Sequence, residues 1–320
     1  MKNILRIAAF LMCLTSQANA ARAETASMAL GTGVDPAFAT AYVAQSMGIF
    51  KRNGLDVKLN TGPSGSAMVS YLVKNQSQAA IAAEQAGITN FNLDPNVVLV
   101  GETAAADDWW GVVGRDTPGL ADLKGKRIGV SLGSGSEVFW NAIIKRFSLD
   151  PKDYTIVNVE PPEMVAALSR RDIDAFVCWE PWLSRAVKSV PNTKVLRNNV
   201  GIMLPRAILY VNRGWAQDNP KAAELFVRSL VEATDVIHND PGAAAKVVST
   251  FLKLDLEETK VFLTKITFGV RLDDATLNHM HGVEAELRRT GRLTKPVDWK
   301  AFVYPDLLRK VAPAAVTVKD

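Results

Sequence analysis

Short apolar runs alternate with helical patterns along most of this 320-residue chain. Each apolar run has the length of a buried strand, and the segments between runs repeat apolar residues with a period of roughly 3.6. This alternation predicts an α/β fold built on mostly parallel sheets. The predicted strands are 29–34, 55–60, 79–83, 97–101, 111–114, 127–131, 155–159, 175–178, 194–197 and 208–212.

The last third of the chain has a different pattern. From Pro220 onward the sequence predicts helices and no further strand. The dipeptide Asp240-Pro241 and the residue Gly291 interrupt the helical periodicity, as helix breakers do. The predicted helices are 221–237, 241–253, 256–266, 273–290 and 298–311.

The first 23 residues predict a cleavable secretory signal peptide. Two basic residues precede an apolar run at 7–14, and small residues at 18–23 provide a cleavage site. We therefore expect export to the periplasm, with a mature chain that begins within 21–24. Lipidation of Cys13 is not expected, because the residue before it is too bulky for that kind of cleavage site.

Cleavage would lower the formal net charge from +4 to +1, because the leader carries three basic residues and no acidic one. A nearly neutral mature protein is not expected to bind nucleic acid or a membrane surface. Cys178 would then be the sole cysteine, so no disulfide is expected. We predict that this thiol packs as a small buried hydrophobic group.

Polar residues and tryptophans cluster where the predicted strands end. Ligands bind outside the carboxyl ends of the strands in open α/β sheets. Two Gly/Ser turns each begin a helix there, and a helix N-terminus favours anions, although each serine can equally serve as an N-cap alone. The candidate ligand-binding residues are Asp35, Ser64, Gly65, Ser66, Glu84, Gln85, Asp108, Trp109, Ser134, Gly135, Ser136, Trp179 and Glu180.

The sequence lacks the familiar motifs of catalysis, metal binding and nucleotide binding, so no cofactor is expected. His279 and His281 would diverge by about 200° on a helix, which does not suit a shared metal ion. We predict that both are solvated, and that His238 lies near a helix C-terminus. Glu137, in the first turn of its helix, would repel an anion held close by.

Four segments, in order, resemble solute-binding proteins of ATP-binding-cassette importers of the nitrate, sulfonate and taurine type. A related branch of that superfamily handles thiamine pyrimidine precursors. The segments are AYVAQSMGIFKRNGLDVKL (41–59), LADLKGKRIGVSLGSGS (120–136), EPPEMVAALSRRDIDAFVCWEPW (160–182) and LYVNRGWAQDNP (209–220).

The resemblance implies a two-lobed type II periplasmic-binding-protein fold with a ligand cleft between the lobes. Lobe one would comprise residues 24–114 and 212–320, and lobe two residues 115–211, with hinge strands near 111–115 and 209–213. It also implies a monomer that closes on a small-molecule ligand and presents it to an inner-membrane permease.

The strand-end residues favour a small anionic or zwitterionic organic solute, with an organosulfonate such as taurine or an alkanesulfonate as the leading hypothesis. Glu84, Asp108 and Glu180 would oppose a plain inorganic anion such as nitrate. Trp109 and Trp179, with Trp110 or Trp140 as alternatives, offer apolar faces to a carbon chain or an ammonium group. An aromatic or pyrimidine ligand is the alternative.

An enzyme on the same fold is the main competing hypothesis. The resemblance implies that a pyrimidine synthase needs a histidine and a cysteine-rich motif. A desulfinase-like enzyme would need a cysteine at the first-lobe strand end, where this chain has Asp35. Both departures favour a binding protein over an enzyme. A sensory module that reports its ligand to a receptor stays open.

Overall fold

The computed structural model describes residues 25–318. Eleven strands within this range form two sheets, and all ten strands predicted from the sequence are among them. The strands are β1 (Ala26–Gly33), β2 (Leu55–Gly62), β3 (Ala79–Ala82), β4 (Val97–Ala106), β5 (Trp110–Arg115), β6 (Arg127–Val130), β7 (Thr155–Asn158), β8 (Ala175–Trp179), β9 (Thr193–Asn198), β10 (Arg206–Asn212) and β11 (Ile266–Arg271).

Fourteen α-helices of the described chain cover the sheets. The helices are α1 (Ala39–Ser46), α2 (Ile49–Arg52), α3 (Gly65–Val73), α4 (Glu84–Phe91), α5 (Gly135–Arg146), α6 (Pro161–Ser169), α7 (Trp182–Ser189), α8 (Arg213–Asp218), α9 (Pro220–Asn239), α10 (Pro241–Leu252), α11 (Leu256–Thr264), α12 (Asp274–Arg289), α13 (Trp299–Phe302) and α14 (Pro305–Val311). Within residues 25–318, no helix has both the length and the apolar character needed to span a bilayer.

The first sheet has the order β11-β4-β10-β3-β1-β2 and the second has the order β7-β6-β8-β5-β9. The prediction of mostly parallel sheets is wrong, since β5, β10 and β11 each pair antiparallel with their neighbours. Apolar periodicity reports that a strand is buried and carries no information about its direction. The prediction that strands cease after Pro220 is also wrong, because β11 completes one edge of the first sheet.

Strand pairing places the two predicted hinge strands in different sheets. Residues 110–114 pair with β8 in the second sheet, whereas 206–211 pair with β3 and β4 in the first sheet. The chain therefore crosses between the sheets at 107–109 and returns at 199–205. We refer below to residues 25–106 and 206–318 as lobe one, to 110–198 as lobe two, and to the two connections as the crossing segments.

The two crossing segments are tied together by one buried amide. The side-chain oxygen of Asn199 accepts hydrogen bonds from the backbone N–H groups of Trp109, at 2.7 Å, and Trp110, at 2.8 Å. A buried amide that satisfies two backbone donors holds both connections in register. This amide therefore braces the connection between the lobes.

Helices from the C-terminal part of the chain pack on lobe one. The ring of Tyr42 in α1 stacks on Phe251 in α10 with 4.3 Å between centroids. Phe50 in α2 stacks on Phe226 in α9 at 5.9 Å. These aromatic contacts join the first and last parts of the chain in one core.

A glycine lets α4 approach β10 closely. A β-carbon at Gly87 would lie 1.9 Å from Cε1 of Tyr210, a buried side chain of β10. Replacing Gly87 with alanine should therefore lower the free energy of unfolding by about 2 kcal/mol through overpacking. Urea unfolding measures this change. The control is Gly282→Ala in α12, where an added β-carbon meets nothing within 4 Å. Equal losses of stability in both variants would contradict the close contact.

Candidate functional site

Two small chambers lie between the lobes, at the ends of the strands. The first has a volume of about 30 Å³ and the second about 40 Å³. They share the wall residues Asp35, Phe38, Ala83 and Trp110, of which the first three come from lobe one and the last from lobe two. Each chamber suits only a few waters at most. An organic solute therefore needs a wider separation of the lobes than this structure has.

The remaining lining residues come from both lobes and from the crossing segments. The first chamber is completed by Gly33, Val34, Ser64, Gly65, Ser66, Gly135 and Trp179. The second is completed by Ala37, Ala104, Ala106, Trp109, Pro205, Arg206 and Ala207. Seven of the thirteen candidate residues are thus brought together: Asp35, Ser64, Gly65, Ser66, Trp109, Gly135 and Trp179.

Asp35 is the carboxyl group common to both chambers. It follows β1, it is 7% exposed, and its Oδ1 accepts a hydrogen bond of 2.7 Å from the backbone N–H of Ala37. Burial raises the pKa of Asp35 from 3.8 to about 7, because the charged form loses its water. The hydrogen bond from Ala37 acts in the opposite direction, and the negative charge of Glu180 adds to the increase. This carboxyl group therefore titrates near neutral pH.

The Gly/Ser turn before α3 forms part of the first chamber. Ser64 is the N-cap, since its Oγ accepts a hydrogen bond of 3.2 Å from the N–H of Ala67. A β-carbon on Gly65 would lie 2.8 Å from the carbonyl oxygen of Ile81, so glycine brings the start of α3 close to the end of β3. The hydroxyl of Ser64 is thus occupied by capping. The positive end of the helix is what this turn offers to a ligand.

Two tryptophans of lobe two form the apolar wall. The rings of Trp110 and Trp179 lie 6.3 Å apart with an interplanar angle of 39°. A β-carbon on Gly135 would lie 2.3 Å from Cη2 of Trp110, so this glycine makes room for the ring. Trp109 packs edge-on against Phe262 of lobe one at 5.5 Å. Trp109 and Trp179 are among the predicted candidates, and Trp110, whose exposure to the cleft the sequence left open, lines both chambers.

Glu84 and Gln85 lie at the start of α4, outside both chambers. Oε1 of Glu84 accepts a hydrogen bond of 2.8 Å from the N–H of Arg206 and lies 2.6 Å from Nε2 of His279. Nε2 of Gln85 donates to Oγ of Ser66 at 3.0 Å. The prediction that His279 is solvated is wrong, because its side chain is 18% exposed and contacts the buried Glu84.

Ser134 and Gln85 line a separate pocket of about 80 Å³. The Oγ of Ser134 accepts a hydrogen bond from the N–H of Ser136 at 3.1 Å and donates to the carbonyl oxygen of Ser131 at 2.8 Å. Glu137 in the same pocket forms an ion pair with Arg292 of lobe one. Its charge is therefore balanced across the two lobes, which removes the predicted repulsion of a nearby anion.

Three further candidates have structural partners. Oδ2 of Asp108 lies 2.6 Å from Nζ of Lys265, close to the surface. The Oγ of Ser136 donates to the carbonyl oxygen of Val177 and joins α5 to β8. The carboxylate of Glu180 accepts hydrogen bonds from the N–H, at 3.0 Å, and the Oγ, at 2.9 Å, of Ser184. These contacts place all three side chains outside the two chambers.

Residues 21–252 match the NMT1-like family. The chain belongs to this family. The taurine-binding periplasmic protein of Escherichia coli (strain K12) is 27% identical over 248 residues, which cover 73% of this chain and 73% of that protein. The 4-amino-5-hydroxymethyl-2-methylpyrimidine phosphate synthase of Aspergillus parasiticus is 27% identical over 231 residues, which cover 65% of each chain.

A solved structure with a similar fold is the alkanesulfonate-binding protein SsuA from Xanthomonas axonopodis pv. citri bound to MOPS. It superposes with a TM-score of 0.78 at 17% identity, over 88% of this chain and 99% of that chain. The predicted resemblance to solute-binding proteins and the predicted periplasmic-binding-protein fold are both confirmed. The relatives of this chain include a binding protein and an enzyme.

Proposed function

We propose that this NMT1-like protein is a periplasmic solute-binding protein that delivers a small organic solute to the permease of an ATP-binding-cassette importer. The observation that carries the proposal is the ionisable Asp35 in a cavity walled by both lobes. The taurine-binding relative supports the periplasmic location and the transport role. The predicted signal peptide, residues 1–23, lies outside the described residues.

Closure of the lobes would perform the function without chemistry. Lobe one contributes Asp35, Phe38 and the start of α3 to the first chamber, and lobe two contributes Trp110 and Trp179. A solute that contacts both sets of groups stabilises the closed arrangement by its differential affinity. Small-angle scattering should then give a smaller radius of gyration with ligand than without it.

We propose that the solute carries a protonated nitrogen and an oxyanion, as taurine does. Asp35 would accept the ammonium group, because pairing restores the charged carboxylate that burial disfavours. The start of α3 would bind the oxyanion, and Trp110 and Trp179 would cover the carbon atoms between the two ends. Nitrate fits this arrangement poorly, since it would place a second negative charge beside Asp35.

A heteroaromatic ligand is the second candidate. The tilted pair of Trp110 and Trp179 could hold a flat ring, and the pyrimidine phosphate synthase relative makes a molecule of that class. Asp35 would then accept a hydrogen bond from a ring amino group.

A thermal-shift panel separates these ligands. The panel contains taurine, ethanesulfonate without the amine, ethylamine without the sulfonate, nitrate and an aminopyrimidine. We expect taurine to give the largest increase in melting temperature, because it carries both charged groups of the proposed solute. A ligand at about 100 times its Kd adds about 2.7 kcal/mol of stability. A shift with the aminopyrimidine alone would favour the heteroaromatic candidate. A shift with ethanesulfonate equal to that with taurine would contradict the role of Asp35.

Turnover distinguishes the binding protein from an enzyme. Cys178 is buried in β8, and burial raises the pKa of its thiol well above the usual value, which disfavours a nucleophilic role. Incubation of the protein with the solute that shifts its melting temperature should return that solute unchanged by mass spectrometry. Conversion at many turnovers per protein molecule would instead support the enzyme hypothesis.

A further inference from the structure

A larger groove lies beside the two chambers and shares no lining residue with them. Its volume is about 810 Å³, which is the size of a small-molecule site. One wall is α5 of lobe two, the opposite wall is α12 of lobe one, and the crossing segment 199–205 closes one side. Its apolar surface includes Val138, Ile202 and Met203.

The rim of this groove carries an excess of positive charge. Lys145 and Arg146 lie on it in the last turn of α5, and neither forms an ion pair with any residue of the described chain. Arg289 lies on the α12 side, where Glu286 of the same helix balances it at 2.6 Å. The rim thus carries three cations against the single carboxylate of Glu286, which interacts with both Arg289 and Lys145, and this net positive charge favours an anionic occupant.

Gly282 keeps the α12 wall open. This glycine lies inside a 16-residue helix, where glycine is the least favourable residue after proline. A β-carbon at this position would meet nothing within 4 Å, so close packing does not account for the glycine. Gly282 lines the groove, and any larger side chain at this position would project into it. The groove therefore accounts for the glycine.

We propose that the groove is a second ligand site, which binds an amphiphilic anion with an apolar chain or ring system and one sulfonate or carboxylate. The apolar body would lie on Val138, Ile202 and Met203, and the anionic group would face Lys145 and Arg146. This assignment does not depend on the solute bound in the two chambers, since the two sites have separate linings.

Anilinonaphthalene sulfonate is the probe for this site, because it combines an aromatic body with one sulfonate and fluoresces when it leaves water. We expect the mature protein to bind the probe saturably at one site. Gly282→Phe, which projects an aromatic ring into the groove, should abolish the binding. The double variant Lys145→Gln and Arg146→Gln should weaken it roughly tenfold.

Three controls make the result specific to the groove. Gly282→Ala should retain the binding, which shows that loss in Gly282→Phe comes from filling the space. Lys221→Gln with Lys246→Gln removes two exposed cations outside the groove and should leave the Kd unchanged. Phenylnaphthylamine, an uncharged analogue of the probe, should bind more weakly than the probe does. Equal probe affinity in wild type and Gly282→Phe would overturn the site, and equal affinity for the uncharged analogue would overturn its anionic specificity.

Discussion

Replacing Asp35 with asparagine should make the ligand-free protein more stable than wild type at about pH 8, by at most about 4 kcal/mol. At about pH 4 the two proteins should have nearly equal stability. The reason is that burial raises the pKa of Asp35 from 3.8 to about 7, so that its ionised form is disfavoured in the folded state. Asparagine has the same shape and never ionises. It can also keep the hydrogen bond from the N–H of Ala37.

The sign of this pH-dependent change in stability follows from the number of protons bound in the folded and unfolded states. Between about pH 4 and pH 7 the unfolded chain has lost the proton of Asp35 while the folded protein retains it. The unfolded state therefore binds fewer protons, and the stability of wild type falls as the pH rises through this window. Urea unfolding of both proteins across the window measures the divergence. The exposed variant Asp218→Asn in α8 is the control and should follow wild type. Parallel curves for Asp35→Asn and wild type would contradict a buried carboxyl group.

The same titration should appear in ligand binding. A cationic ligand pairs with the ionised carboxylate, so its affinity should rise as the pH increases through the pKa of Asp35. Asp35→Asn should remove this dependence and weaken the binding. A ligand without a nitrogen should show neither effect, which makes isothermal titration at two pH values a direct test of the proposed ammonium contact.

The strand positions could be predicted from the sequence because burial leaves a local signature. All ten predicted strands are strands in the structure. Most are buried, whereas β7 and β9 lie at the two edges of the second sheet and are partly or largely exposed. β11 was missed because its residues alternate between buried and partly exposed at a sheet edge, so it has no continuous apolar run. The direction of β5 and β10 could not be predicted, since it depends on how the chain crosses between the lobes.

The site could be predicted only to the level of strand ends. Asp35, Ser64 and Trp179 follow or end strands, and they line the first chamber. Glu84 also lies just after a strand, yet its side chain contacts Arg206 and His279. Those partners are more than 100 residues distant along the chain, so no local pattern reveals them. Strand ends therefore identify the edge of the sheet that carries the site, and long-range hydrogen bonds decide which side chains face the solute.

The aromatic wall offers a second test with a large effect. Trp110 is 5% exposed and lines both chambers, whose walls also include Asp35, Phe38 and Ala83 of lobe one. Trp140 in α5 is 4% exposed and belongs to the same lobe, yet it packs against Tyr154 at 5.1 Å and lines neither chamber. These two tryptophans match in burial and differ in access to the solute.

Trp110→Ala should weaken binding of the solute by about 100-fold, because a desolvated tryptophan at the centre of a contact contributes more than about 2 kcal/mol. Trp140→Ala should lower the melting temperature by about as much as Trp110→Ala does, since it removes an equally buried ring. It should leave the Kd within about threefold of wild type. Isothermal titration below both melting temperatures separates affinity from stability. Equal losses of affinity in the two variants would show that Trp110 acts only through the stability of lobe two, and the chambers would then not be the site.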